Sequence, residues 1–290
     1  MDHSIIVSIC CITFNQAKFV RQCLDGFIMQ KTDFSFEVII HDDASTDDTQ
    51  AIIKEYAAKY PQIIKPILQI ENQYSKGRKR ILATYCFPKT KGKYIALCEG
   101  DDCWTDSLKL QKQVSFMENH PECTMSFHNS VIENTLKDKK DIQLNIEDRE
   151  YLSSELFANW IVPTASMLLR RSLLDSPILI NSNILNGDII YVLLAADKGK
   201  VYGSSEKMSI YRMHEGGVTW NPAMNFEREK KYPAHYLFIK KTFKKIPRKI
   251  INKRLFSTYR HLQHHYEQQN EYKLAFHCLI RKLYYRFCSF

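Results

Sequence analysis

Tyr94-Ile95-Ala96-Leu97-Cys98-Glu99-Gly100-Asp101-Asp102 is a short apolar run that ends in three acids. Tyr94–Cys98 reads as a strand, and the acids fall at its carboxyl end. Upstream, Ile5–Thr13 is a strand, Ala17–Gln30 a helix and Phe36–His41 a second strand. Thr46–Tyr60 is a helix whose Asp47, Asp48 and Thr49 suit its positive N-terminal end, and it stops before Pro61. Ile63–Gln69 follows as a strand and Lys79–Phe87 as a helix. Downstream, Leu108–Asn119 is a helix closed by His120-Pro121, and Thr124–His128 is another strand. This alternation predicts an α/β fold with a mainly parallel sheet and helices on both faces. Ligands of such sheets bind beyond the carboxyl ends of the strands.

Past residue 130 the rhythm loosens. Val131 to Glu150 is polar and charged, an exposed excursion. Regular structure resumes at Ser154–Trp160, then a strand Thr164–Arg170, a helix Ile189–Asp197 and a strand pair around Val201–Arg212. Gly216-Gly217 to Pro222 reads as a loop, and Pro233–Phe290 is helical in pattern, basic and aromatic. The expected division is a main domain over 1–220, with halves at about 1–105 and 106–220, and a helical appendage over 221–290.

Composition narrows the class. Of the 290 residues 44% are hydrophobic and 25% charged, as in a globular protein, which argues against disorder. No stretch reaches the roughly 18 apolar residues of a membrane span, and Met1 leads straight into a strand with no signal-type segment. Nine cysteines, an odd number with no CxxC, several in apolar runs, read as buried thiols of a reducing compartment. A cytoplasmic protein is expected. The net charge of +9 is unevenly placed: residues 221–290 carry +12 and the rest −3.

Acids collect at three predicted element ends: Asp42-Asp43, Glu99 with Asp101-Asp102, and Asp188 before a late helix. Paired carboxylates repel, so they usually neutralise a cation or accept hydrogen bonds from a ligand. Mg²⁺ or Mn²⁺ is typically held by one or two carboxylates plus substrate phosphates. A single Asp-Asp is equally well a solvated turn; three clusters on the ligand side of one sheet are not so easily explained that way.

Val7-Ser8-Ile9-Cys10-Cys11-Ile12-Thr13-Phe14-Asn15, His41-Asp42-Asp43-Ala44-Ser45-Thr46-Asp47 and Lys91-Gly92-Lys93-Tyr94 leading to Glu99-Gly100-Asp101-Asp102-Cys103-Trp104 resemble, in order and spacing, the family 2 glycosyltransferases of GT-A, Rossmann-like fold. The likeness extends over about residues 4–215. It implies a nucleotide-sugar site in which Thr13, Asn15, Asp42 and Asp43 meet the nucleoside. Residues 99–102 stand for the family's DxD element, here beginning with Glu99. Asp101 and Asp102 would serve the metal, Mn²⁺ or Mg²⁺, with Glu99 at the sugar or a metal-bound water. Asn186-Gly187-Asp188 lies where the family places its general base, usually after a second acid that Gly187 replaces here. Tyr211-Arg212-Met213-His214 resembles the segment that closes over the diphosphate, Arg212 as a phosphate contact and His214 as a phosphate or metal contact.

The resemblance thus implies an inverting, one-sugar transfer, most simply from a UDP-sugar to a glycan or lipid-linked hydroxyl in cell-surface polysaccharide synthesis. Processive synthases of the family carry QxxRW and membrane helices, and this sequence has neither. A sugar nucleotidyltransferase would need a glycine-rich phosphate loop where Thr13-Phe14-Asn15-Gln16 stands. A glycosidase would not need Asp42-Asp43. The non-enzyme alternative is a degenerate transferase acting as a glycan-binding or scaffold subunit.

Weaker candidates are His128, Asn129 and Thr164 toward the acceptor, Trp104 as a sugar platform, Arg78, Lys79 and Arg80 as uracil or phosphate contacts, and His261, His264 and His265 as a helical metal set. In the tail, cations between Lys240 and Arg254 alternate with Phe238, Phe243, Ile246, Ile250, Ile251, Leu255 and Phe256. Residues 238–256 therefore fit either an anionic membrane surface or an appendage packed on the main domain. No nucleic-acid motif is present.

Overall fold

The computed structural model describes residues 4–78, 80–134, 139–159, 161–181, 183–215, 217 and 222–288. Lys79, Trp160, Gly216 and residues 218–221, which enter several of the sequence readings, lie outside the described residues. The strands are β1 (Ile5–Thr13), β2 (Ser35–Asp42), β3 (Ile64–Leu68), β4 (Tyr94–Glu99), β5 (Cys103–Trp104), β6 (Cys123–Asn134), β7 (Lys139–Gln143), β8 (Arg149–Glu150), β9 (Leu168–Arg170) and β10 (Lys200–Met213). The helices are α1 (Val20–Ile28), α2 (Thr49–Lys59), α3 (Lys109–Asn119), α4 (Ser153–Ala158), α5 (Gly187–Lys198), α6 (Pro222–Glu229), α7 (Tyr232–Thr242), α8 (Arg248–Gln268) and α9 (Tyr272–Phe287).

One sheet in the order β3-β2-β1-β4-β9-β6-β10-β5 organises the chain. Its first four strands are parallel. The two-residue period of a strand explains their sequences. Val7, Ile9 and Cys11 of β1, Val38 and Ile40 of β2, and Tyr94, Ala96 and Cys98 of β4 face a core closed by α1, α2 and α3. Cys10, Ile39, Ile95 and Leu97 face a second core, closed by α5 and the tail. With both faces buried, these strands are apolar at most positions, and the buried polar pair Ser8 and Glu37 satisfies itself by a hydrogen bond of 2.7 Å. The register then sets the ends level: Thr13 pairs with Asp42, and Ile12 pairs with both His41 and Glu99.

Beyond β4 the sheet becomes mixed. β9 runs antiparallel to both β4 and β6, while β6 and β10 are parallel. The expected strand pair around Val201–Arg212 is instead one long strand. Ser204 to Lys207 reads like a hairpin turn but forms an irregularity within β10. It is held there by Asp148, which accepts the Ser205 N–H at 2.9 Å and its hydroxyl at 2.8 Å. The expected helix 79–87 is a π-turn over Leu82–Cys86 and a 3-10 turn over Phe87–Lys89. Pro88 has no N–H to continue an α-helix.

The tail packs on the main domain. Ile239, Phe243, Ile246, Ile251 and Leu255 are buried in the second core, with Phe238, Ile250 and Phe256 packed against it. The apolar residues of 238–256 that a bilayer would have to receive are therefore already covered by protein. All nine cysteines are free. Among the described residues no helix is long and apolar enough to cross a membrane.

Candidate functional site

At the ends of β1 and β2, two loops are tied together by their own polar groups. The Asn15 N–H donates to Ser45 Oγ and Asn15 Oδ1 accepts the Thr46 N–H, both at 2.8 Å. The Gln16 N–H donates to Thr49 Oγ1 at 2.8 Å and the Ala17 N–H to Asp47 Oδ2 at 3.0 Å. Asn15 and Ala44 accept left-handed backbone at φ 53° and 60° to make the fit. Thr13 is buried, and its hydroxyl lies 3.3 Å from the His41 carbonyl. Asp42 is fully buried and accepts the Ser45 N–H at 3.0 Å. Asp43 accepts the N–H groups of Gln73 and Tyr74 at 2.8 and 2.9 Å, pinning the segment after β3 over this edge. Both carboxylates thus shape loops, and Asp42 has no exposed surface to offer a nucleotide.

Beside that edge lies the acidic turn after β4. Gly100 is required there: a Cβ would sit 2.4 Å from Thr13 Cγ2 and 2.5 Å from Gln16 Oε1. Asp102 is buried, with one oxygen accepting the Arg212 N–H at 2.9 Å. Its other oxygen has no partner, and neither has Asp101 Oδ1. Asp101 Oδ2 is 3.0 Å from His214 Nε2. Burial, then the charges of Asp101 and Asp188, push the Glu99 carboxyl up to about 8. Burial, then Asp101 and Glu99, also hold Asp102 well above the usual carboxylate range, with Arg212 opposing. The turn carries more negative charge than the protein neutralises.

Arg212 departs from its expected role. Its guanidinium reaches the Asp101 carbonyl at 2.8 Å, Glu133 at 3.3 Å and the Gln22 side-chain oxygen. It lies over Phe19 and is 8% exposed. As placed, it bolts the acidic turn to α1 and β6 and has little surface for a phosphate.

Asp188 is the second residue of α5, and Asn186 occupies the cap position. Burial raises its carboxyl, opposed by the Ile189 N–H and by Arg228 and Arg80. Its charge contributes to the rise at Glu99, so the two acids lie within electrostatic reach of each other. A Cβ on Gly187 would meet nothing closer than Tyr191 Oη at 3.5 Å and Arg80 Nη1 at 3.6 Å. Arg80 Nε is buried without a partner. Arg228 donates to Asn186 Oδ1 at 2.8 Å, so α6 brings a cation from beyond residue 220 to this edge. Burial, then Arg80 and Arg228, lower His235 to about 4, and its Nδ1 accepts the Leu185 N–H at 3.3 Å. The sequence reading did not single out Arg228 or His235. Their spacing from Asp188 along the chain gives no signal, because only packing of the tail brings them near.

The weaker candidates resolve toward structure. Trp104 is buried, donates to the Ala165 carbonyl at 2.8 Å and meets Phe27 edge-on. His128 is fully buried within β6 and bonds the Asn129 carbonyl at 2.7 Å, and Asn129 donates to the Leu144 carbonyl. Thr164 begins a 3-10 turn, and Arg78 is exposed. His261 faces Glu229, His264 faces Gln268 and His265 stacks on Phe226. They form no common site.

Asp101 Oδ1 and Asp102 Oδ2, orphaned and buried, fit a hard cation that completes its shell with phosphate oxygens and water. Among the described residues no three His, Cys, Asp or Glu side chains form a closed metal cage. His214 stands beside Asp101 and orients it.

A sheet of this order with acids level at its strand ends is the GT-A scaffold of nucleotide-sugar enzymes. The mannosyltransferase PcManGT of Pyrobaculum calidifontis, solved with GDP-Man and Mn²⁺, shares it with a TM-score of 0.60 at 15% identity, over 85% of this chain and 67% of that one. The model of glycosyl transferase family 2 matches residues 8–176, and the chain belongs to that family. Uncharacterized protein Rv1520 of Mycobacterium tuberculosis is 40% identical over 228 residues, 77% of this chain and 63% of that protein. The chain therefore spans under two thirds of that relative. The Escherichia coli protein WfaP, a UDP-Glc:alpha-D-GlcNAc-diphosphoundecaprenol beta-1,3-glucosyltransferase, is 34% identical over 129 residues, 44% of this chain and 47% of that protein.

Proposed function

We propose that the protein transfers one sugar from a UDP-sugar to a hydroxyl of a glycan or lipid-linked acceptor, with inversion, in cell-surface polysaccharide synthesis at the cytoplasmic side of the membrane. The observation that carries this is the pair of buried, unsatisfied oxygens Asp101 Oδ1 and Asp102 Oδ2 in the turn after β4 of a glycosyl transferase family 2 chain, with Asp188 near enough to help raise the Glu99 carboxyl. The nucleoside lies at the ends of β1 and β2, against Thr13, Asn15 and Asp43. Asp101 and Asp102 hold Mn²⁺ or Mg²⁺, which when bound neutralises charge growing on the leaving diphosphate. Arg212 and His214 keep the acidic turn in position, and Arg80 is the cation best placed for a phosphate.

Asp188 takes the proton from the acceptor hydroxyl as that oxygen attacks the anomeric carbon. Burial raises its carboxyl, which makes it a stronger base. Arg228 and Arg80 oppose that rise. The acceptor class follows WfaP, whose name specifies a diphosphoundecaprenol-linked sugar. A panel of nucleotide-sugars with a diphosphoundecaprenol-linked acceptor, with and without Mn²⁺, tests the reading by released nucleoside diphosphate. Metal-stimulated release from a UDP-sugar is expected. No release from any donor, together with no metal-dependent UDP binding, would support a non-catalytic subunit instead.

A further inference from the structure

Helix α9 buries one face and leaves the other bare. Ala275, Cys278 and Tyr285 point inward, with Tyr285 stacked on Tyr259 of α8 at 5.8 Å. The opposite face carries Tyr272, Phe276, Ile280, Leu283 and Phe287, which are 66, 62, 53, 51 and 87% exposed. Their spacing of four, four, three and four places them in one stripe along the helix. Lone exposed apolar residues are ordinary on a soluble protein, whereas a continuous aromatic and aliphatic stripe marks a binding surface. At 100° per residue, Lys273 falls about 20° beyond one edge of the stripe and Arg286 about 40° beyond the other, while Arg281 lies further round the flank and Lys282 turns toward the buried face. The helix contains no Asp or Glu.

We propose that α9 docks the protein on an anionic lipid surface, lying in the plane of the headgroups with the stripe turned into the acyl boundary. The cations at both edges complement anionic headgroups, and long basic side chains can extend over them while their stems stay apolar. A second copy of this chain fits the face poorly, since a two-fold contact through α9 brings cationic edges together with no acid on the helix to answer them. The attachment lies on the membrane and does not cross it, because no described helix is long and apolar enough to span. It also moves the membrane surface from residues 238–256, whose apolar side chains are buried in the core, to the last helix. The inference goes beyond the transfer reaction and stands whether or not the acceptor is lipid-linked.

The test is sedimentation of the full chain with phosphatidylcholine vesicles, alone or containing phosphatidylglycerol, at low and high salt. The wild type should bind the phosphatidylglycerol vesicles, and salt should weaken that binding. The triple variant Phe276→Ser, Ile280→Ser, Phe287→Ser alters only exposed side chains and should keep its melting temperature while losing about tenfold or more of the binding. A Phe287→Trp reporter should shift its emission to the blue on phosphatidylglycerol vesicles. Equal binding to both vesicle types, unchanged binding of the triple variant, or an unshifted reporter would each overturn the proposal. So would a concentration-dependent dimer abolished by the triple variant, which would make the face a contact between copies.

Discussion

The two acidic ends of the sheet are built on opposite terms. On the β1–β2 side, Asn15, Asp42, Asp43 and Asp47 all spend their side-chain oxygens on backbone N–H groups. On the β4–α5 side, Asp101 Oδ1, Asp102 Oδ2 and Arg80 Nε are buried without partners, and Glu99 is forced up to about 8. A buried polar group without a partner costs about 1–3 kcal/mol, so the second side stores a cost that a ligand can relieve. The carboxylates of the first side are finished, with only Gln16 Oε1 and His41 Nδ1 left without partners there among the described residues, whereas the carboxylates of the second are not.

The largest effect should come from the unfinished side. Asp102→Asn keeps an acceptor for the Arg212 N–H but removes a charge, and should lower metal-stimulated turnover by about 10²–10³-fold. The same variant should melt higher than wild type without metal, because it relieves repulsion among buried acids; lower turnover with a lower melting temperature would break the contrast. On the finished side, Asp43→Ala frees the Gln73 and Tyr74 N–H groups and should cost about 1–3 kcal/mol in denaturant unfolding. Easier proteolysis within residues 71–78 should accompany it.

Lys109, the first residue of α3, is a further buried group without a hydrogen-bond partner. It is fully buried, lies 3.9 Å from the Trp104 ring centroid, has no hydrogen-bond partner for Nζ, and burial lowers it to about 7. The unfolded chain holds that proton up to about pH 10.4, so it binds more protons than the fold between about pH 7 and 10. Wild-type stability should therefore gain from this residue as pH rises through that window. Lys109→Met should gain about 1–2 kcal/mol at pH 7 and lose that part of the pH dependence. Smallest of all, Gly187→Ala should add about 0.5–1 kcal/mol, since its Cβ would meet only ordinary van der Waals contacts at the start of α5.

The parallel half of the fold was legible because its strands are mostly apolar runs that end where the acids begin. Ile5–Thr13 shows this, read and found with the same bounds. The mixed half was not, since β9 is three residues long and β10 carries a polar irregularity that imitates a turn. Among the proposed site residues, Asp101 and Asp102 follow β4 and Asp188 stands in the first turn of α5, at the element ends the sequence pattern suggested. Arg212 could not be placed in this way: an arginine announces charge, but only packing decides whether it meets a phosphate or the Asp101 carbonyl. The tail gave the same difficulty. Its alternation of cations and aromatics fits packing over 238–256 and exposure over α9, and sequence does not separate them.

The central claim is that Asp188 does chemistry at a site whose nucleotide is held elsewhere. The most direct test compares wild type with Asp188→Asn by calorimetric titration of UDP with Mn²⁺ and by turnover of the active UDP-sugar. The expected result is UDP affinity within about twofold of wild type and turnover reduced by about 10²–10⁴-fold. A parallel loss of UDP affinity, or turnover that survives, would contradict the account.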